Sequence, residues 1–416
     1  MISRRILIAL CTVVALVNTS GQTNNNLERL RFIADSILQN QVDSNLIPGV
    51  VIEIKKDDQV LLKKAFGYAQ KYGYYNRLLD HPEKTTTDHM YDIASLTKIV
   101  GTTTSIMLLV DQGTLDVDDA VGKYIPAFNS PDKKNITIRN LLTHTSGLDE
   151  WYPLFYRAHN KRETFQLIGE LPLKYPVGAG RHYSDLGFTL LGEIIEKVSG
   201  VSLDSFMQEH IFIPLGMQHT TFNPLRSGKF AKIAATSHGN PYETRMVHDS
   251  SLGFMYKEID PDSWNGWRKY TLKGEVNDGN AWYAEGGVCG AAGLFSTVDD
   301  LQKFVDMLMH NGKVGDKQFI SQKTLRMFLT KEQFDNGLGW MMDPDNPVLK
   351  NGPAGTFGHT GFTGTSIAVI PEYHASLILL INRQNMGLLA SGEYYSVSPI
   401  RMELFSALLQ YCQGKL

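Results

Sequence analysis

Ser95-Leu96-Thr97-Lys98 places a serine three residues before a lysine, directly ahead of the apolar stretch IVGTTTSIMLLV. Residues three apart on a helix share a face, so the Lys98 amine would lie beside the Ser95 hydroxyl. The unpaired N–H groups of a first helical turn favour negative charge on a nearby oxygen. Burial lowers a lysine pKa, because desolvation disfavours the ammonium. A neutral amine can then take the serine proton, which is the Ser–Lys form of nucleophile activation. An ammonium can only donate or stabilise charge. The alternative is an ordinary helix start, since serine is favoured there in any protein. A second match, Ser130-Pro131-Asp132-Lys133, lies in a turn with proline inside it and another lysine after it, and a solvated loop explains it.

Two later stretches separate the first match from the second. Tyr183-Ser184-Asp185 offers hydroxyls and an acid, and His359-Thr360-Gly361 stands just before the predicted strand GTSIAVI. Ser-x-x-Lys followed in order by two such motifs marks penicillin-binding proteins and serine β-lactamases. The strings LLTHTSGL (141–148), GGVCGAAGLFSTVDDLQKF (286–304) and GLGW (337–340) also look like that superfamily. The chain therefore resembles the class C serine β-lactamases and penicillin-binding proteins, from around Pro48 to near Asn382. The string AEGGVCGAAGLFSTVDDL is most similar to the low-molecular-mass penicillin-binding proteins and related secreted serine hydrolases.

The resemblance implies roles for individual residues. Ser95 would be the acylated nucleophile, with Lys98 and Tyr183 sharing general-base and general-acid work. Asp185 would hold a substrate amide or orient Lys98. The backbone N–H groups of Ser95 and Phe362 would form an oxyanion hole. His359, Thr360 and Gly361 would line the substrate side. Two positions depart from the pattern. Asp185 stands where the relatives carry Asn, and its charge would hold Lys98 as an ammonium, which favours Tyr183 as the base. His359 stands where β-lactamases carry lysine. An imidazole is mostly neutral at pH 7, which weakens recognition of a carboxylate and favours ester or neutral amide substrates. Asp185 could also serve only as a helix cap, and His359 as an edge-strand residue.

These residues need a scaffold. LERLRFIADSILQNQV (27–42) carries Leu27, Leu30, Ile33, Ala34, Ile37 and Leu38 on one helical face. Two β-rich runs follow around Lys56-Asp57-Asp58, a hairpin signal. The C-terminal end mirrors this with two apolar runs around Pro371-Glu372-Tyr373. A helix follows with Pro399 at its start and Ile400, Leu404, Phe405, Leu408 and Leu409 at helical spacing. The expectation is an α+β fold: one antiparallel sheet built from both chain ends, flanked by the N- and C-terminal helices. A helical subdomain, roughly 101–235, is inserted, with Gly113, Gly147 and Gly200 where its helices stop. Residues 240–283 are irregular and aromatic, either a cleft wall or a surface excursion packed by its own rings.

Composition narrows the rest. The chain has 416 residues, a formal net charge of −3 and no long basic run, so nucleic acid is not an expected partner. Arg4 and Arg5, the apolar run 6–17 and the small or polar Thr19, Ser20 and Gly21 read as a signal peptide over 1–21. The apolar run is too short for a stable membrane span. The mature chain, 22–416, would be one β-lactamase-like domain, exported to the periplasm or secreted. Cys289 lies among small residues and reads as a buried hydrophobe; its pairing with Cys412 is open. Twelve histidines occur without a metal-binding spacing, so neither metal nor cofactor is expected. The expected function is hydrolysis through an acyl-enzyme on Ser95. From the resemblance, the substrates are D-amino-acid peptides of the cell wall, as for a DD-carboxypeptidase, or small esters. A β-lactamase is the alternative enzyme, and a non-catalytic binder of wall fragments the alternative of another class.

Overall fold

The computed structural model describes residues 25–416, and the expected export signal lies outside the described residues. A helix over 25–43 opens the described chain. It leads into the strands Gly49–Lys56, Gln59–Gly73 and Arg77–Lys84. The strands Phe357–Thr360, Ser366–Ile370 and Ala375–Ile381 come much later, followed by the helix Ser398–Cys412. All six strands form one antiparallel sheet, in which Ala375–Ile381 pairs with Gly49–Lys56. The two chain ends thus meet in the sheet centre, as the mirrored hairpins predict. The first hairpin turns through Asp57 and Asp58, both at positive φ, which is the two-residue type I′ signature.

Alternation along the strands sorts their side chains to two faces. Val50, Ile52, Ile54, Leu377, Leu379 and Ile381 pack outward against Leu30, Ala34 and Leu38 of the opening helix and Leu404, Phe405 and Leu408 of the closing one. Val51, Ile378 and Leu380 pack inward, in one core with Leu301, Phe304 and Val305 of the helix Val298–Met309. Residues 85–356 lie between the third and fourth strands of the large sheet. Helices occupy much of this excursion: Thr104–Asp111, Lys161–Glu170, Asp185–Ser199 and, past residue 235, Val298–Met309. Gly200, at φ 76°, ends the helix Asp185–Ser199 as expected. Among the described residues no helix is long and apolar enough to cross a membrane. Both Cys289 and Cys412 are free thiols, and Cys289 is buried.

A small three-stranded sheet joins the excursion to the nucleophile. Tyr91–Asp92 pairs with Leu294–Ser296, which also pairs with Thr221–Phe222. The next residue, Ile93, donates its N–H to the Leu294 carbonyl at 3.0 Å. On the other side, the hydroxyls of Thr363 and Thr365 donate to the carbonyls of Asp92 and Ile93. The turn 361–365 is thereby tied to the backbone just before Ser95. Gly361 has to be glycine here, because a Cβ would lie 2.5 Å from the Ile93 carbonyl oxygen.

Candidate active site

Ser95 sits in the turn that enters the helical segment, just after Ala94 at φ 46°. A left-handed conformation is uncommon for alanine and stores local strain. Leu96, Thr97 and Lys98 each bond back three residues, and Lys98–Thr103 then winds as a π-helix before the α-helix Thr104–Asp111. Such wide turns recur at functional sites. The winding brings Lys98 Nζ to 3.0 Å from Ser95 Oγ. Lys98 is 0% exposed. Its Nζ also donates to the Ala291 carbonyl at 2.8 Å and lies 2.7 Å from Asp185 Oδ1.

Close backbone approach makes this clasp possible. Ala291 belongs to the small-residue segment 286–293. A Cβ on Gly290 would lie 2.2 Å from the Phe188 carbonyl oxygen and 2.9 Å from the Gly192 nitrogen. Glycine at 290 therefore lets the segment press onto the helix Asp185–Ser199 and enclose Lys98. Ser184 caps that helix, its hydroxyl accepting from the Gly187 N–H at 3.3 Å. Capping is done by Ser184, so the Asp185 carboxylate in the first turn is free to pair with Lys98.

The charges decide which protonation states are available. Burial alone would depress the Lys98 pKa, but Asp185 and Tyr183 outweigh it and hold Lys98 above the usual lysine value, as an ammonium. Burial also raises the Tyr183 phenol, opposed by the Lys98 charge and by contacts with Ser95 and Lys98. The Tyr183 ring centroid is 5.1 Å from Lys98 Nζ. His144 supports it from behind, with ring centroids 4.4 Å apart. His144 Nδ1 accepts the Ser184 N–H at 3.0 Å, which fixes the neighbour of Tyr183 as well.

Ser95, Tyr183, Asp185 and Phe362 line one cavity of about 300 Å³. Among the described residues, neither the Ser95 N–H nor the Phe362 N–H donates to a protein group. Arg383 holds the Phe362 carbonyl with two N–H donors, at 3.0 and 2.8 Å, and so fixes that peptide. His359 departs from the expectation of a substrate-facing imidazole. It is 1% exposed, and neither it, Thr360 nor Gly361 is on the cavity wall. Its strand is an edge strand of the large sheet, covered only by an isolated bridge from Met341 to Gly358, and the Nδ1–H is turned back onto the Thr360 carbonyl at 2.8 Å. Burial, with the Lys98 charge adding, pushes the imidazole pKa down to about 3, so the ring is neutral.

The segment 240–283 is both of the things its sequence allowed. Tyr242, Glu243, Met246, Phe254, Asn277 and Asp278 form one wall of the cavity. Trp264, Trp267 and Tyr283 pack on Phe155 behind it. His144, Glu243 and Asp278 were not singled out by sequence reasoning. The only signal they leave there is a polar residue inside a landmark or aromatic stretch.

Comparison with known proteins bears directly on this arrangement. A family model described as Beta-lactamase matches residues 34–396. The chain belongs to the β-lactamase family. It is a serine hydrolase of that family. A relative from Salmonella heidelberg (strain SL476), named "Putative D-alanyl-D-alanine carboxypeptidase", is 36% identical over 388 residues, 87% of this chain and 84% of that protein. The octameric penicillin-binding protein homologue from Pyrococcus abyssi superposes with a TM-score of 0.64 at 24% identity, covering 90% of this chain and 76% of that one. A class C β-lactamase structure gives a TM-score of 0.67 at 19% identity, covering 92% and 99%. These two structural likenesses establish the β-lactamase-family fold, an antiparallel sheet flanked by helices.

Proposed function

We propose that the protein hydrolyses amide or ester bonds through an acyl-enzyme on Ser95. The substrate class proposed is D-amino-acid peptides of the cell wall, in the manner of a DD-carboxypeptidase. The observation that carries the reading is the buried Lys98 Nζ, 3.0 Å from Ser95 Oγ and 2.7 Å from Asp185. The naming of relatives at 36% identity supports the substrate class. A second substrate class, small neutral esters, is favoured by one feature. Among the described residues, the cavity wall carries no lysine, arginine or histidine to meet a substrate carboxylate. That feature also weighs against a β-lactamase. The apolar run at 6–17, after Arg4 and Arg5, supports export.

In acylation Tyr183 is the base and Lys98 the positive charge beside it. The Lys98 ammonium favours both a Tyr183 phenolate and a developing Ser95 alkoxide. Phenolate takes the Oγ proton as Oγ bonds to the substrate carbonyl carbon, and the phenol passes that proton to the leaving group. The free N–H groups of Ser95 and Phe362 receive the oxyanion. Asp185 holds Lys98 as an ammonium during acylation. Because burial raises the phenol pKa, the phenolate fraction, and with it acylation, increases with pH above neutrality.

A fluorophosphonate probe tests the nucleophile. Wild type should gain one adduct, mapped by peptide mass spectrometry to Ser95, and Ser95→Ala should gain none. An unlabelled wild type with no turnover on a panel of D-alanyl peptides and p-nitrophenyl esters would instead mark a fragment-binding protein.

A further inference from the structure

Among the described residues, five carboxylates line the cavity: Asp92, Glu150, Asp185, Glu243 and Asp278. Four are occupied. Asp92 accepts from the Ala94 N–H at 2.9 Å on one oxygen and the Asn277 N–H at 2.7 Å on the other. Glu150 is bound by Lys174 at 2.9 Å and the Tyr175 hydroxyl at 2.8 Å. Glu243 accepts from Gly279 N–H at 2.8 Å and Asn240 Nδ2 at 2.7 Å. Asp185 is ion-paired to the Lys98 ammonium. Asp278 differs. Its Oδ1 accepts the Ala281 N–H at 2.7 Å, and no hydrogen bond or ion pair among the described residues reaches Oδ2.

We propose that Asp278 is the general base of deacylation, taking a proton from the water that attacks the acyl carbon held on Ser95. This rests on the acyl-enzyme reading of Ser95. Ser95 and Asp278 line the same cavity, so a water inside it can connect the acyl carbon to the Asp278 carboxylate. The water oxygen bonds to the acyl carbon while its proton passes to Asp278 Oδ2. The oxyanion collapses and the carbon–Oγ bond breaks. The Lys98 ammonium, already 3.0 Å from Oγ, supplies the proton that Oγ takes up. The proton on Asp278 returns through cavity water to the Lys98 amine, and the cycle closes with one water consumed.

The surroundings suit a base at neutral pH. Burial lifts the Asp278 carboxyl to about 6, with the Asp185 charge adding and Lys98 and Arg268 opposing. Glu243 faces the same carboxylate, and its own pKa is pushed up to about 8, so it is neutral at pH 7 and leaves Asp278 as the anion. Asp92, Glu285 and Cys289 also feel the Asp278 charge. Burial raises all three, Cys289 to where it stays a thiol at neutral pH. Deacylation should therefore fall as pH drops below about 6, whereas acylation follows Tyr183 in the alkaline range.

Asp278→Asn and Asp278→Ser should be compared with wild type on p-nitrophenyl acetate, by stopped-flow release of p-nitrophenol and by intact-protein mass spectrometry. The expected result is a retained burst of one equivalent and an accumulating acetyl-enzyme. Steady-state turnover should fall by about 10²-fold or more. Turnover at the wild-type rate in a folded variant would overturn the assignment. So would parallel loss of burst and turnover in both variants with the wild-type melting temperature. An active wild type that gives no adduct, and stays active as Ser95→Ala, would overturn the acyl-enzyme reading and this inference with it.

Discussion

On the outer face of the sheet, Val50, Ile52, Ile54, Leu377 and Leu379 meet Leu30, Leu404, Phe405 and Leu408 in an apolar layer. The buried cation on that side, Arg401, donates to the Gly361 and Thr365 carbonyls and so steadies the turn that presents Phe362. The inner side of the molecule is built differently. Its core buries Lys98, Asp92, Glu285 and Glu53 among Phe188, Phe304 and Trp340. Burying a charge is costly unless it is paired, and each of these is either paired or shifted toward neutrality. The contrast separates two tasks. The outer layer contributes cohesion through area removed from water. The inner core gives up some of that cohesion to hold charges beside Ser95.

The sharpest break of this contrast is Lys98→Ala. Turnover should fall by about 10³-fold, because the charge that supports Tyr183 and Ser95 is removed. The lone Asp185 should also lower the melting temperature. The double variant Lys98→Ala with Asp185→Asn should recover the melting temperature and none of the activity. Recovery of both would mean that Lys98 serves only the fold.

The outer layer should respond in the opposite way. Phe405 is 0% exposed and sits between the closing helix and the sheet. Phe405→Ala should cost about 3–5 kcal/mol of stability, measured by urea unfolding. Turnover per folded molecule, measured well below the melting temperature, should stay near wild type. A large drop in that quantity would show that the outer layer also tunes the site.

Much of the sheet was legible in the sequence because each strand carries its own period. Alternation and the Asp57-Asp58 turn define the first hairpin without any tertiary information. The strand Arg77–Lys84 was not legible, since Arg77, Asp80, His81, Glu83 and Lys84 leave little apolar alternation and Pro82 argues against a strand. It forms because it is an edge strand, where one side needs no partner and proline is tolerated. The site divides in the same way. Ser95, Lys98, Tyr183 and Asp185 were legible because motif order survives in one dimension. The π-helical turn at Lys98, the support of His144 under Tyr183 and the burial of His359 were not. They depend on Gly290 meeting Gly192 and on the turn 361–365 being tied to Ile93, contacts between segments far apart in the chain.

The smallest effect concerns Glu53, the one position where the first strand carries a carboxyl inward. Glu53 is 3% exposed, and its Oε2 has no hydrogen-bond partner among the described residues. Burial pushes its pKa up to about 7, opposed by Lys63 and reinforced by Asp299 and Asp306. In the unfolded chain the same carboxyl titrates near 4.5. Its folded pKa is raised, so the stability it contributes is fully present below pH 4.5 and is lost as pH rises through 7. Glu53→Gln stays neutral throughout. The variant should match wild type at pH 4.5 and exceed it at pH 8 by on the order of 1–2 kcal/mol, with turnover unchanged. Urea unfolding at the two pH values measures this directly. A difference that does not depend on pH would place the Glu53 effect in packing and not in its charge. It would then remove Glu53 from the set of inner-side residues held by compensated ionisation.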